Sequence, residues 1–238
     1  MNNLRVDSVI HGFKDLLDSQ ELSVEIGTSN RWIYSHLLNY RSTVLSQKML
    51  DNKISNISFQ SLTLNLEEVK DHNYPCISGS NCILLKTVIP IPYYIHLESI
   101  TTPINRSGRV QKLTEINSDN IVYKAKSRFP SEVSDTYYFL KNTGNGIYAY
   151  VWSDQGEHLK SVTVTAIYHQ PELVQAITSC DGTLDPCFNY LKADFLVDPE
   201  LLSSINDKAI ASLIKPKSTF SDILNDNLSL SANNGTVK

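Results

Sequence analysis

Between Lys53 and Tyr168 the apolar residues of this chain tend to recur at every second position, whereas before and after that stretch they recur at every third or fourth. This change of period is the feature that most limits the fold. A period of two belongs to strands with one buried face, and a period near 3.6 belongs to helices with one buried stripe. The chain is therefore expected to be α+β, with helical ends and a central antiparallel β-rich domain. Its 238 residues are enough to bury a sizeable core. Four spans follow: a helical region over 1–52, a β-rich domain over 53–170, a cysteine-containing loop and C-terminal helix over 171–216, and a tail over 217–238.

In the first span, Val6, Val9, Ile10, Phe13, Leu16 and Leu17 form one stripe at helical spacing. Gly12 weakens that helix modestly. The segment 19–28 reads as a connection. A second helix begins at Ser29 or Asn30, either of which can cap it. If helical throughout, Ser29–Leu50 is about 33 Å long. Ile33, Leu37, Val44 and Met49 make its stripe, with Leu38 and Leu45 beside it. Arg31, Arg41 and Lys48 are placed off the stripe. One reading of these charges is a solvated face; the other is a face that docks a neighbouring subunit, where Arg and Trp are enriched.

In the middle span, Ile57 and Phe59 share one parity and Leu62, Leu64 and Leu66 the other, which predicts a bulge or bend near Gln60 and Ser61. Pro90 and Pro92 separate two further strands. The run TYYFLKNTGNGIYAYVW predicts a β-hairpin turning at Asn145-Gly146. In KSVTVTAIY, Val162, Val164, Ala166 and Tyr168 share one face of a final strand. Pro171 then opens a short helical turn. Asp198 caps the last helix, Pro199 and Glu200 suit its first turn, Leu202, Ile205, Ala209 and Leu213 form its stripe, and Pro216 stops it. The tail from Lys217, rich in Ser, Asn and Asp, is expected to be flexible until something holds it.

The composition is that of a globular protein, 41% hydrophobic and 19% charged. Net charge is −4 and the pI about 5.8, which gives no reason to expect a nucleic-acid-coating surface. The N-terminus lacks the apolar run and cleavage site of a signal peptide, and no apolar run is long enough to span a membrane. Synthesis in a cytoplasm is expected, and the sequons at Asn56, Asn105, Asn227 and Asn234 then read as chance matches. Four cysteines fall in two pairs, Cys76/Cys82 and Cys180/Cys187. Their gaps exceed the usual zinc-ligand spacing, so free thiols are expected ahead of zinc or of a disulfide formed after release from a cell. No phosphate-binding glycine loop, GxSxG, HExxH or EF-hand pattern occurs. Cys180 and His169 can be drawn as nucleophile and base, but nothing in the sequence brings them together. Tyr137, Tyr138, Tyr148 and Tyr150 cluster on the hairpin, as half-buried sheet residues, as contact anchors or as a sugar-binding platform.

Several short patterns together resemble a known group. The long helix begins with Asn30, Arg31, Ile33 and Tyr34 and carries Arg41 further on. The middle holds Cys76 and a V-I-P-I-P segment from Val88 to Pro92. It ends with Val164, Ala166, Ile167, Tyr168 and Pro171, and D-F-x-V-D-P-E-L from Asp194 to Leu201 opens the last helix. This layout resembles the virion structural proteins of crAss-like phages and related podoviruses of Bacteroidetes, which form rings in the neck and tail below the portal. Its order of elements is also similar to podoviral head-to-tail adaptors. The resemblance implies that helices from the N- and C-terminal regions pack together beside the β-rich domain. It implies a cyclic homo-oligomer, twelvefold, that connects portal to tail, with the portal or adjacent tail ring proteins as partners. Genomic DNA would pass through the lumen without sequence-specific binding. The location would be the virion neck or tail, with no membrane partner, no enzymatic activity and no cofactor or metal. Arg31, Trp32, Tyr34 and Arg41 are the expected subunit contact, and the tail from Lys217 a candidate arm. Two rivals stand beside this reading: a β-rich receptor- or glycan-binding virion protein, and a thiol or zinc enzyme.

Overall fold

The computed structural model describes residues 4–20, 29–69, 83–103, 110–117, 136–153, 159–179 and 188–230, the last sixteen as backbone. The chain forms two compact units. One contains residues 1–54 with 197–238, and the other contains residues 55–196. The fold class is α+β.

The first unit is helical. Helix α1 spans Val6–Ser19 and α2 spans Asn30–Leu50. Val6, Val9, Ile10, Phe13 and Leu17 of the α1 stripe are buried, while Leu16 is 39% exposed. Ser29 is the residue that caps α2, its side chain accepting from the Trp32 amide at 3.3 Å. At the other end, Asn52 adopts φ 53° and the Lys53 amide reaches back to the Lys48 carbonyl at 2.9 Å. This is the left-handed cap that satisfies the last carbonyls of a helix.

The last helix, Pro199–Leu230, packs with α2. Asp198 caps it as expected, accepting from the Glu200 amide at 3.2 Å. It does not stop at Pro216. A proline inside a helix removes one hydrogen bond and presses on the carbonyl four residues back. Beyond it, however, Phe220, Ile223, Leu224 and Leu228 recur at helical spacing. Residues 217–230, expected as part of the tail, therefore continue the helix as backbone. Residues 231–238 of the expected tail lie outside the described residues.

The second unit is built on a seven-stranded sheet. Its strands are β1 (Gln60–Glu68), β2 (Ile83–Thr87), β3 (Tyr94–Thr101), β4 (Thr114–Glu115), β5 (Thr136–Asn142), β6 (Ile147–Ser153) and β7 (Ser161–Tyr168). They lie in the order β3-β7-β1-β2-β6-β5-β4, and every pair is antiparallel except the short β4–β5 pair. Beyond this ladder, the Leu113 amide donates to the Ile100 carbonyl at 2.8 Å and the Thr102 amide to the Gln111 carbonyl at 2.9 Å. These bonds join the first strand of the order to the segment leading into the last, so the sheet curls round on itself.

One face of the sheet holds the main core. Leu62 and Leu64 of β1 lie opposite Val164 and Val162 of β7, all fully buried. A short helix, Pro171–Ser179 (α3; the Pro199–Leu230 helix is hereafter α4), adds Val174 and Ile177 to the same cluster. Nine-residue β1 carries two pairings in succession, with β7 over Gln60–Asn65 and with β2 over Leu66–Glu68. The expected bulge at Gln60 and Ser61 is absent from the β1–β7 register. The parity change arises because Asn56–Ser58 form a turn of 3₁₀ helix just before the strand starts.

The hairpin is present as β5 and β6, joined by Thr143–Gly146, with Gly144 at φ 56° and Gly146 at φ 133°. A Cβ on Gly146 would come within 2.7 Å of Pro90 Cβ, so the position needs glycine for both conformation and space.

Candidate subunit interface

Helix α2 decides which of its residues can meet another molecule. With about 100° between successive residues, its buried side chains form one arc. That arc contains Ile33, Tyr34, Leu37, Leu38, Arg41, Val44 and Leu45. Arg41 stands in the middle of the arc and is 0% exposed; Tyr34 is 5% exposed. The expectation that Arg41 lies off the stripe is therefore corrected. Tyr34 and Arg41 both make interactions of their own. A guanidinium stays charged at any ordinary pH, so it enters a core only with its donors engaged. The four residues expected to form one contact are thus divided by the helix. Arg31 and Trp32 are exposed, while Tyr34 and Arg41 face inward.

Trp32 begins an aromatic ladder along α2. Its ring stacks on His36 with centroids 4.8 Å apart and planes 12° apart. His36 in turn meets Tyr40 edge-on at 5.0 Å. The spacing of four residues puts all three on one side of the helix. His36 Nε2 lies 3.1 Å from Ser212 Oγ and 3.3 Å from the Ala209 carbonyl of α4. About two helical turns beyond the ladder, Lys208 Nζ of α4 donates to Gln47 Oε1 of α2 at 2.5 Å. Lys14 of α1 donates to Asn30 Oδ1 at 2.7 Å. These bonds fix α2 against its neighbours while Trp32 remains 40% exposed. The ladder was not read from the sequence. His36 and Tyr40 were the signal, because they follow Trp32 at successive intervals of four.

In the sheet unit, Tyr137, Tyr138 and Tyr150 are 6–7% exposed. Tyr137 and Tyr150 join Leu84, Phe139 and Trp152 in a second buried cluster, and Tyr138 belongs to the main core. Tyr148 is half-buried, with Lys86 Nζ 4.7 Å from its ring centre. A sugar-binding platform needs exposed aromatic faces, and three of the four proposed residues do not supply one.

Beside β3 lies a cleft of about 780 Å³ lined in part by Tyr94, His96, Glu98, Lys112, Glu115 and Tyr138. The Tyr138 hydroxyl donates to Glu115 Oε2 at 3.4 Å. Burial, reinforced by the Glu115 charge, pushes the Tyr138 hydroxyl up to about 12 and raises Tyr94 as well. Burial also raises Tyr168, whose hydroxyl donates to the Val164 carbonyl at 3.2 Å. All three hydroxyls stay protonated at neutral pH, and those of Tyr138 and Tyr168 act as hydrogen-bond donors.

All four cysteines lie outside the described residues. Among the described residues no three His, Cys, Asp or Glu side chains come together as a metal site. No described helix is long and apolar enough to cross a membrane.

No curated protein matches the chain. A family model described as phage tail ring protein 2, of the crAss ring type, matches residues 6–227. That match runs through both units, from the first residue of α1 almost to the end of α4. The chain belongs to the phage tail ring protein 2 family and is a structural protein of the crAss-like phage tail.

Proposed function

We propose that copies of this chain close into a ring that joins the portal to the tail around the DNA channel. The ring is taken to be twelvefold, with the portal or an adjacent tail ring as its neighbour. Genomic DNA passes through the lumen without sequence-specific contact, and no reaction is catalysed. The observation that carries this reading is the family match across almost the whole chain. Closed cyclic symmetry is how identical subunits build a bounded ring.

Within that reading, Arg31 and Trp32 are the part of α2 that meets the next subunit. Tyr34 and Arg41 act from inside, setting the position of the helix that presents them. The net charge of −4 suits a channel through which DNA slides rather than sticks. A strongly basic lumen in the assembled ring would count against it.

Native mass spectrometry of the full chain, alone and mixed with portal assemblies, tests the proposal. A discrete cyclic mass, formed alone or on the portal, is the expected result. A chain that stays monomeric in both conditions, and with adjacent tail proteins, would overturn it.

A further inference from the structure

We infer that the cleft beside β3 receives Arg31 and Trp32 from a second copy of this chain. The inference rests on the ring reading above and names the surface that those two residues meet. In a ring of more than two subunits, each copy meets the next through two different patches, so the mate of the α2 patch lies elsewhere on the same chain. The α2 patch is positive. Arg31 is exposed in the first turn of α2, which holds no acidic residue, and the helix dipole adds positive charge there. Lys14 Nζ, bonded to Asn30 Oδ1 at 2.7 Å, brings a second cation to the same end. Asp18 stands four residues on from Lys14 in α1, yet among the described residues neither cation makes an ion pair. Such an end favours a carboxylate partner.

The cleft supplies the matching chemistry. It lies within the sheet unit, lined by residues 94–98 of β3 and by residues 112–115. Two carboxylates, Glu98 and Glu115, stand on its walls against one lysine, Lys112. Glu98 Oε2 lies 3.5 Å from His96 Nε2, and Glu115 accepts from the Tyr138 hydroxyl. Neither carboxylate has a Lys or Arg partner among the described residues. Tyr94 and Tyr138 add hydroxyl oxygens that can accept, together with aromatic rings. A guanidinium carries five donors in one plane and suits both carboxylates and ring faces. Leu97 and Leu140 give the walls apolar area for an indole. Arg and Trp seated in a pocket are the residues that most often carry an interface. The occupant is another copy because the chain itself carries this complementary pair, and a ring brings it to a different patch of the same chain.

The test uses two full-length variants, one carrying Arg31→Glu and the other both Glu98→Arg and Glu115→Arg. Each is compared with wild type, alone and mixed in equal amounts, by native mass spectrometry and thermal melting. Glu98→Arg alone serves as a milder variant, because it leaves the Glu115–Tyr138 bond in place. Lys160→Glu, at an exposed position of the sheet unit, is the charge control. The expected result is a wild-type melt for every variant and an unaffected control. Rings are weakened about tenfold or more for each variant alone and recovered in the mixture, where alternating copies again join opposite charges. Rings as strong as wild type from either variant alone would overturn the inference and leave the ring reading intact. A mixture that recovers nothing would also overturn it, because the two patches would then not face each other. So would a control that weakens rings equally, since the effect would then be one of overall charge. If the wild-type chain forms no ring under any condition, the ring reading fails and takes this inference with it.

Discussion

Arg41 is where the residue scale matters most. Its guanidinium is fully buried in the middle of the α2 arc. Arg41→Ala leaves its partners facing a hole, so stability should drop by about 3 kcal/mol or more in urea unfolding. Arg41→Lys should recover little, because an ammonium cannot reproduce the planar five-donor fork. Variants that unfold at wild-type denaturant would show that the burial is not structural. Tyr138 gives a second test at this scale. Its folded-state hydroxyl is raised from 10.0 to about 12, so the unfolded chain gives up this proton first. Its contribution is fully present below pH 10 and is lost as pH rises towards 12. Tyr138→Phe should therefore flatten the alkaline fall in stability over that window, read as melting temperature against pH. An unchanged slope would place the alkaline sensitivity elsewhere.

At the scale of elements, α1 offers a clean experiment. Gly12 lies within the helix on its exposed side, and an added Cβ would meet nothing within 4 Å. Gly12→Ala should stabilise the chain by up to about 1 kcal/mol, seen as a higher melting temperature. Much of the element pattern was legible in the sequence. Val162, Val164, Ala166 and Tyr168 alternate so regularly that their burial on one face followed directly. Asp198-Pro199-Glu200 marked the start of α4 through capping chemistry alone. The readings that differed were those in which one signal hid another. Pro216 and the polar tail obscured the stripe of Phe220, Ile223, Leu224 and Leu228. The charge of Arg41 placed it outside, although its angular position lies between Leu37 and Tyr34. Two-residue β4 was not legible, because so short a strand leaves no period to detect. In the candidate contact, Arg31 and Trp32 are exposed, whereas the burial of Tyr34 and Arg41 depends on neighbours that only the packed helices provide.

At the scale of the whole molecule, the chain joins residues from both of its ends in a helical unit and leaves the sheet as a continuous insertion between them. Family membership makes it a phage tail ring protein. The closed ring, its symmetry and its place beneath the portal are proposed here. They can be seen by cryo-electron microscopy of purified particles, with rotational averaging about the tail axis and side chains resolved. Density for this chain in a closed ring between portal and tail, with Trp32 buried against an adjacent protomer, is the expected result. Density for the chain only in peripheral appendages, or a ring in which Trp32 remains open to solvent, would overturn the proposal.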